Sequence, residues 1–141
     1  MTQTVTRPEA LTSSEAGALP WRHLERTPGV RIRTLWESPS SRAFVVLIEN
    51  GAAIPCHSHA DGEHHAFVLS GYCRVGDRVF DAGSYFHTPR GAMHDLRGEY
   101  PFGAEVLYVF DRGVARETTA AGGPDRHLGR ADDVGQGARW R

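Results

Sequence analysis

The central part of the chain consists of short apolar stretches that alternate with turn residues. None of these stretches repeats its apolar residues at the spacing i, i+3, i+4, i+7 over the length that a helix requires. Several alternate apolar with polar residues, and β-branched and aromatic residues are frequent, as is typical of strands. The pattern predicts an all-β fold with strands near residues 30–36, 42–49, 64–70, 72–75, 78–80, 84–88, 93–96 and 102–110.

The two ends of the chain differ in composition from this central part. The first twenty residues are rich in Thr, Ser, Ala and Glu and lack a sustained apolar pattern, and the segment after Asp111 is rich in glycine. With 141 residues, the chain is long enough for one compact domain. We expect a flexible N-terminal arm over 1–20, a small β-barrel over 21–111 and a Gly-rich C-terminal tail over 112–141.

Charge and composition exclude several classes of function. The formal net charge is −1, so no electrostatic surface for nucleic acid or an anionic membrane is expected. All sixteen basic residues are arginine, which excludes mechanisms that need a lysine amine. No apolar run approaches a membrane span, and the N-terminus does not resemble a secretory signal. With only two cysteines, we expect a protein of the reducing cytoplasm.

Histidine is the residue that points to chemistry, because six of the eight histidines fall between His57 and His94. In an extended segment, His57 and His59 point to the same side, since side chains alternate along a strand. A divalent metal needs three or four such donors, and further histidines and a glutamate follow in sequence to complete the set. The spacing predicts a metal site.

This pattern resembles the cupin family, whose first motif is Gly, five residues, His-x-His, three or four residues, Glu, six residues, Gly. Gly51, His57, His59 and Gly71 match it, and His64 stands where the family usually has Glu.

The second cupin motif is Gly, five residues, Pro-x-Gly, two residues, His. Gly83, Pro89, Gly91 and His94 match it in the right order. The resemblance implies a single cupin-type jelly-roll β-barrel with one metal ion at its mouth.

Residue by residue, the resemblance implies that His57, His59 and His94 are metal ligands. Strand alternation favours His64 over its neighbour Glu63 as the fourth ligand, with a supporting role beside the ligands as the other option for His64. His87 and Glu63 are the candidate catalytic residues, His87 as an acid or base if it faces the pocket.

Three functions follow from the resemblance. The first is an oxygen-dependent dioxygenase that cleaves carbon–carbon bonds of a small enolisable ketone or phenolic substrate. The second is a non-redox zinc cyclase or isomerase of an aromatic polyketide pathway, and the third is a metal-binding sensor module. Imidazole ligands suit iron and zinc, with nickel, copper or manganese as further options, so the donors alone do not choose the metal. A homodimer is expected, because pairing would cover strand edges.

Overall fold

The computed structural model describes residues 9–113, which form one short helix and nine strands. In chain order the elements are α1 (Ser13–Gly17), β1 (Arg22–His23), β2 (Val30–Glu37), β3 (Ser41–Ile48), β4 (Ala53–His57), β5 (Glu63–Val75), β6 (Arg78–Asp81), β7 (Tyr85–Thr88), β8 (His94–Gly98) and β9 (Ala104–Asp111). The predicted all-β fold is confirmed.

The strands form one sheet that curls around β5. Their order is β1-β2-β3-β9-β5-β8-β4, and β6 and β7 also pair with β5. The first part of β5 lies between β7 and β9, whereas its last residues pair with β6 and β8. Because one long strand belongs to both halves of the sheet, the sheet curls into a jelly-roll half-barrel with its core inside.

Gly71 is the point at which β5 passes from one half of the sheet to the other. Its φ is +75°, and a Cβ atom at this position would overlap the backbone oxygen of Gly103. Glycine tolerates both the positive φ and the close approach. The sequence pattern predicts a strand end here, but the structure continues the strand, because glycine bends the backbone without breaking its pairing with β9.

Alternation along the strands builds the core. In β9 every second residue from Ala104 to Phe110 is buried, and β5 buries its own alternate residues opposite them. The largest fully buried side chains are Phe44, Ile48, Leu96, Val30, Val46, Val106 and Cys73. These residues form one contiguous cluster, as expected for a single domain.

The described part of the predicted arm, residues 9–20, forms hydrogen bonds with β2 of the barrel. Helix α1 begins with a capping box in which Thr12 and Glu15 exchange hydrogen bonds. Arg33 Nε donates to the backbone oxygen of Leu19 at 3.0 Å, and Trp36 Nε1 donates to Glu9 at 2.9 Å. A five-residue helix is too short to produce an apolar period, so the sequence pattern did not reveal it.

The remainder of the predicted arm and nearly all of the predicted tail lie outside the described residues. Within residues 9–113, no helix has the length and apolar character needed to span a membrane.

Candidate metal site

Antiparallel pairing of β4 with β8 brings two of the predicted ligands, His57 and His94, together. His57 and His94 are direct cross-strand partners, and their ring centroids lie 4.3 Å apart. β4 is irregular between Ile54 and His57, which adjusts the register so that the two histidines meet.

His59 reaches the same place from the segment between β4 and β5, and His64 reaches it from the start of β5. The backbone oxygen of His59 accepts a hydrogen bond from Gly91 N at 2.8 Å, which anchors this segment to the turn before β8. The His59 ring lies 4.7 Å from the His64 ring and 5.2 Å from the His94 ring. Residues that are 37 positions apart in sequence are thereby gathered at one end of the barrel.

Backbone carbonyls orient two of the rings. His57 Nδ1 donates to the oxygen of Pro55 at 2.7 Å, and His94 Nδ1 donates to the oxygen of Ala92 at 3.1 Å. A carbonyl only accepts, so Nδ1 carries the proton and Nε2 keeps its lone pair for the centre of the cluster. Metal-binding histidines in proteins are usually oriented in this way.

The nitrogens that face the centre have the spacing of a metal site. His57 Nε2 and His59 Nε2 lie 3.2 Å apart, and one nitrogen from each of His57, His59 and His94 lies within 4.8 Å of the others. Two nitrogens bound to one tetrahedral zinc ion would lie about 3.3 Å apart, given bonds of about 2.0 to 2.1 Å. Within residues 9–113, His94 Nε2 is buried and has no hydrogen-bond partner. The three residues therefore fit a divalent metal.

His64 is placed beside this group but does not share its close nitrogen spacing. Only 4% of His64 is exposed, and its ring packs edge-on against Tyr108 and Phe110 at 5.2 and 4.9 Å. This position agrees with either predicted role for His64, as a fourth ligand or as a support for the other rings.

Burial keeps His59, His64 and His94 neutral. Loss of solvation, together with the charges on His57 and His94, lowers the pKa of His59 to about 3. Loss of solvation, followed by the charge on His57, lowers the pKa of His94 to about 4, and burial holds the pKa of His64 well below its usual value. Neutral imidazole is the form that binds metal, so little proton competition is expected from these residues at neutral pH.

The two predicted catalytic residues lie elsewhere. His65 is the cross-strand partner of His87, while inward-facing His64 is the partner of Thr88. Alternation therefore places Glu63 and His87 on the outer face of the barrel wall, where His87 Nε2 donates to Glu63 Oε1 at 2.7 Å. This hydrogen bond is the main reason that the pKa of Glu63 is lowered. The placement disagrees with a direct role for either residue at the inner histidines.

Sequence reasoning did not identify the aromatic wall of the site. Phe110 lies 5.5 Å from the His59 ring, and Phe44 stacks on Tyr108 at 5.6 Å behind His64. The only signal in the sequence was the alternation within β3 and β9, which cannot say which aromatic residues meet a histidine from another strand.

A curled antiparallel barrel with histidines gathered at one end defines this protein as a cupin, and the predicted resemblance is confirmed. More narrowly, residues 10–114 match the ChrR cupin-like domain, and the chain belongs to that family. No curated protein sequence matches the chain significantly.

Solved structures with the same fold include an anti-sigma complex, a polyketide cyclase and a candidate dioxygenase. A chain of the crystal structure of Rhodobacter sphaeroides SigE in complex with the anti-sigma ChrR is 27% identical, with a TM-score of 0.59, covering 67% of this chain and 50% of that one. The polyketide cyclase RemF from Streptomyces resistomycificus is 15% identical, with a TM-score of 0.60 and coverages of 83% and 89%. A candidate acetylacetone dioxygenase from Methylibium petroleiphilum is 20% identical, with a TM-score of 0.62 and coverages of 78% and 81%.

Proposed function

We propose that His57, His59 and His94 bind one divalent metal ion and that the protein is a metal-dependent enzyme. The observation that carries this proposal is the set of three imidazoles whose nitrogens lie within 4.8 Å of one another, including a buried His94 Nε2 that has no hydrogen-bond partner among residues 9–113. A buried polar atom without a partner is costly, and a metal would satisfy it.

The donor set favours an anionic substrate. The three-histidine group contains no carboxylate, and Glu63 faces away from it, so an ion held there would keep its full 2+ charge. An enolate or phenolate oxygen supplies the compensating negative charge. We therefore propose a small enolisable ketone or a phenolic compound as substrate.

The residues around the histidines have separate tasks in this proposal. Phe110 and Tyr108 exclude water on the core side, and His57 is partly exposed, which leaves an approach from solvent. The hydrogen bonds from His57 to Pro55 and from His94 to Ala92 hold the ligand rings in place. When bound, the ion would act as a Lewis acid on the substrate oxygen, and iron would add the capacity to react with oxygen.

The first reaction to test is oxygen-dependent carbon–carbon cleavage of a β-diketone or hydroxyaryl ketone. Metal content is measured on protein purified anaerobically without chelator or nickel affinity resin, followed by oxygen uptake with each substrate class. The proposal predicts near-stoichiometric iron, substrate-dependent oxygen uptake in the wild type, and none in His59→Ala. Near-stoichiometric zinc without oxygen uptake would favour the non-redox cyclase or isomerase instead.

A second candidate function is a metal-binding sensor domain. It is favoured by membership of the ChrR cupin-like family and by the 27% identity to a chain of the SigE–ChrR complex. It predicts stoichiometric metal without turnover of any ketone, and a change in binding to a protein partner when the metal is removed. Pull-down with metal-loaded and chelated protein tests it.

We also propose that the chain forms a homodimer, for which strand edges that need cover are the argument. Size-exclusion chromatography with light scattering tests this, and a strict monomer would contradict it.

A further inference from the structure

The outer face of the barrel wall carries a second group of potential metal ligands. β5 and β7 are antiparallel neighbours, and His65 and His87 are direct partners across them. Their rings are nearly parallel, with an interplanar angle of 21° and centroids 4.8 Å apart. Glu63 lies two residues before His65 and therefore on the same face of β5.

The carboxylate of Glu63 joins the two imidazoles. Its Oε1 accepts from His87 Nε2 at 2.7 Å, and its Oε2 lies 3.7 Å from His65 Nε2. One ligand atom from each of the three residues lies within 4.8 Å of the others. Only modest side-chain movement is needed for all three to reach a common ion.

A further contact orients His65 for such a role. The hydroxyl group of Tyr85 lies 2.6 Å from His65 Nδ1, and the two rings stack with an interplanar angle of 19°. If Nδ1 donates to the tyrosine oxygen, Nε2 keeps its lone pair and faces Glu63. Groups that hold the second nitrogen of a histidine in this way are a regular feature of metal sites.

We infer that Glu63, His65 and His87 form a second binding site for a divalent transition-metal ion. Two imidazoles and one carboxylate suit zinc and similar ions, and three protein ligands leave a position for water. The site is separate from the inner histidines, because β5 presents His64 to the barrel interior and His65 to its exterior.

The competing explanation is a surface hydrogen-bond network without a metal. Exposed Glu–His pairs form readily and contribute little to stability. The two explanations differ in one measurable result. If the three residues bind a metal, replacement of either histidine removes one bound ion per chain, whereas a hydrogen-bond network without a metal predicts no change in bound metal.

The test measures zinc bound per chain by equilibrium dialysis of the chelator-treated full-length protein at micromolar free zinc. We compare His87→Asn and His65→Asn, each in the wild-type background and in a His57→Asn background that weakens the inner site. His23→Asn replaces an exposed histidine on β1 outside both groups and serves as the matched control. The replaced side chains are at least partly exposed, so the fold should be retained, and circular dichroism checks this.

We expect each outer variant to bind one zinc ion fewer than its own background, while His23→Asn loses none. Tyr85→Phe should weaken the outer site about 10-fold, at the low end of the effect of groups that orient ligands. If His87→Asn and His65→Asn retain the full zinc content of their backgrounds, the inference is wrong. Because the comparison is made within each background, failure of the inner site would not be mistaken for failure of the outer one.

Discussion

Acidification should destabilise the metal-free protein strongly, because His59 and His94 are buried in neutral form. Burial lowers the pKa of His59 to about 3 and that of His94 to about 4, whereas both would titrate near 6.5 in the unfolded chain. The unfolded state therefore binds more protons as the pH falls below 6.5, and the stability present above that pH is lost. Between about pH 7.5 and about pH 5, each of the two residues lowers the free energy of unfolding by about 2 kcal/mol, so that the two together lower it by about 4 kcal/mol.

Urea unfolding followed by far-UV circular dichroism in the presence of chelator measures this loss. His59→Asn cannot take up the proton and should reduce the pH dependence by about half, whereas exposed His23→Asn should leave it unchanged. His64, whose pKa is also lowered by burial, can only add to the effect. A free energy of unfolding that changes by less than about 1 kcal/mol over this range would refute the argument that His59 and His94 are held neutral.

Three further predictions concern the fold and the metal. Gly71→Ala should destabilise the protein by at least about 1 to 2 kcal/mol, because the residue has a positive φ and its Cβ would overlap the Gly103 oxygen, and thermal unfolding measures the loss. Phe44→Ala should cost about 3 to 5 kcal/mol in urea unfolding, since its ring is 1% exposed and stacks on Tyr108. Zinc at about 100 times its Kd should stabilise the wild type by about 2.7 kcal/mol through the inner site, and His94→Ala should lose most of this gain; equal stabilisation of both proteins would contradict His94 as a ligand.

Much of the fold could be predicted from local patterns. The strands β2, β3 and β7 lie within one or two residues of their predicted ranges, because each carries a run of β-branched or aromatic residues between turn signals. The continuous strand through Gly71 could not be predicted, because glycine ends strands in some contexts and bends them in others. Its pairing with β9 decides between the two, and β9 is distant in sequence.

The candidate site, like the fold, could be predicted from the sequence only in part. The spacing of His57 and His59, and the position of His94 after Gly91, match the two cupin motifs, and that resemblance predicted which histidines meet. Alternation favoured His64 over Glu63 as the inward-facing residue, and the structure agrees. Alternation could not predict whether His87 faces the interior or the exterior of the barrel, because that depends on the register between β5 and β7.

The sequence alone determined the fold class, because turn chemistry and the period of two are local properties of the chain, and its resemblance to the cupin motifs indicated which histidines gather at one end of the barrel. Only the tertiary structure decided on which side of the wall Glu63 and His87 lie and which aromatic rings enclose the histidines. Both depend on pairing between strands that are distant in sequence, and a shift of one residue in that pairing would exchange the two faces.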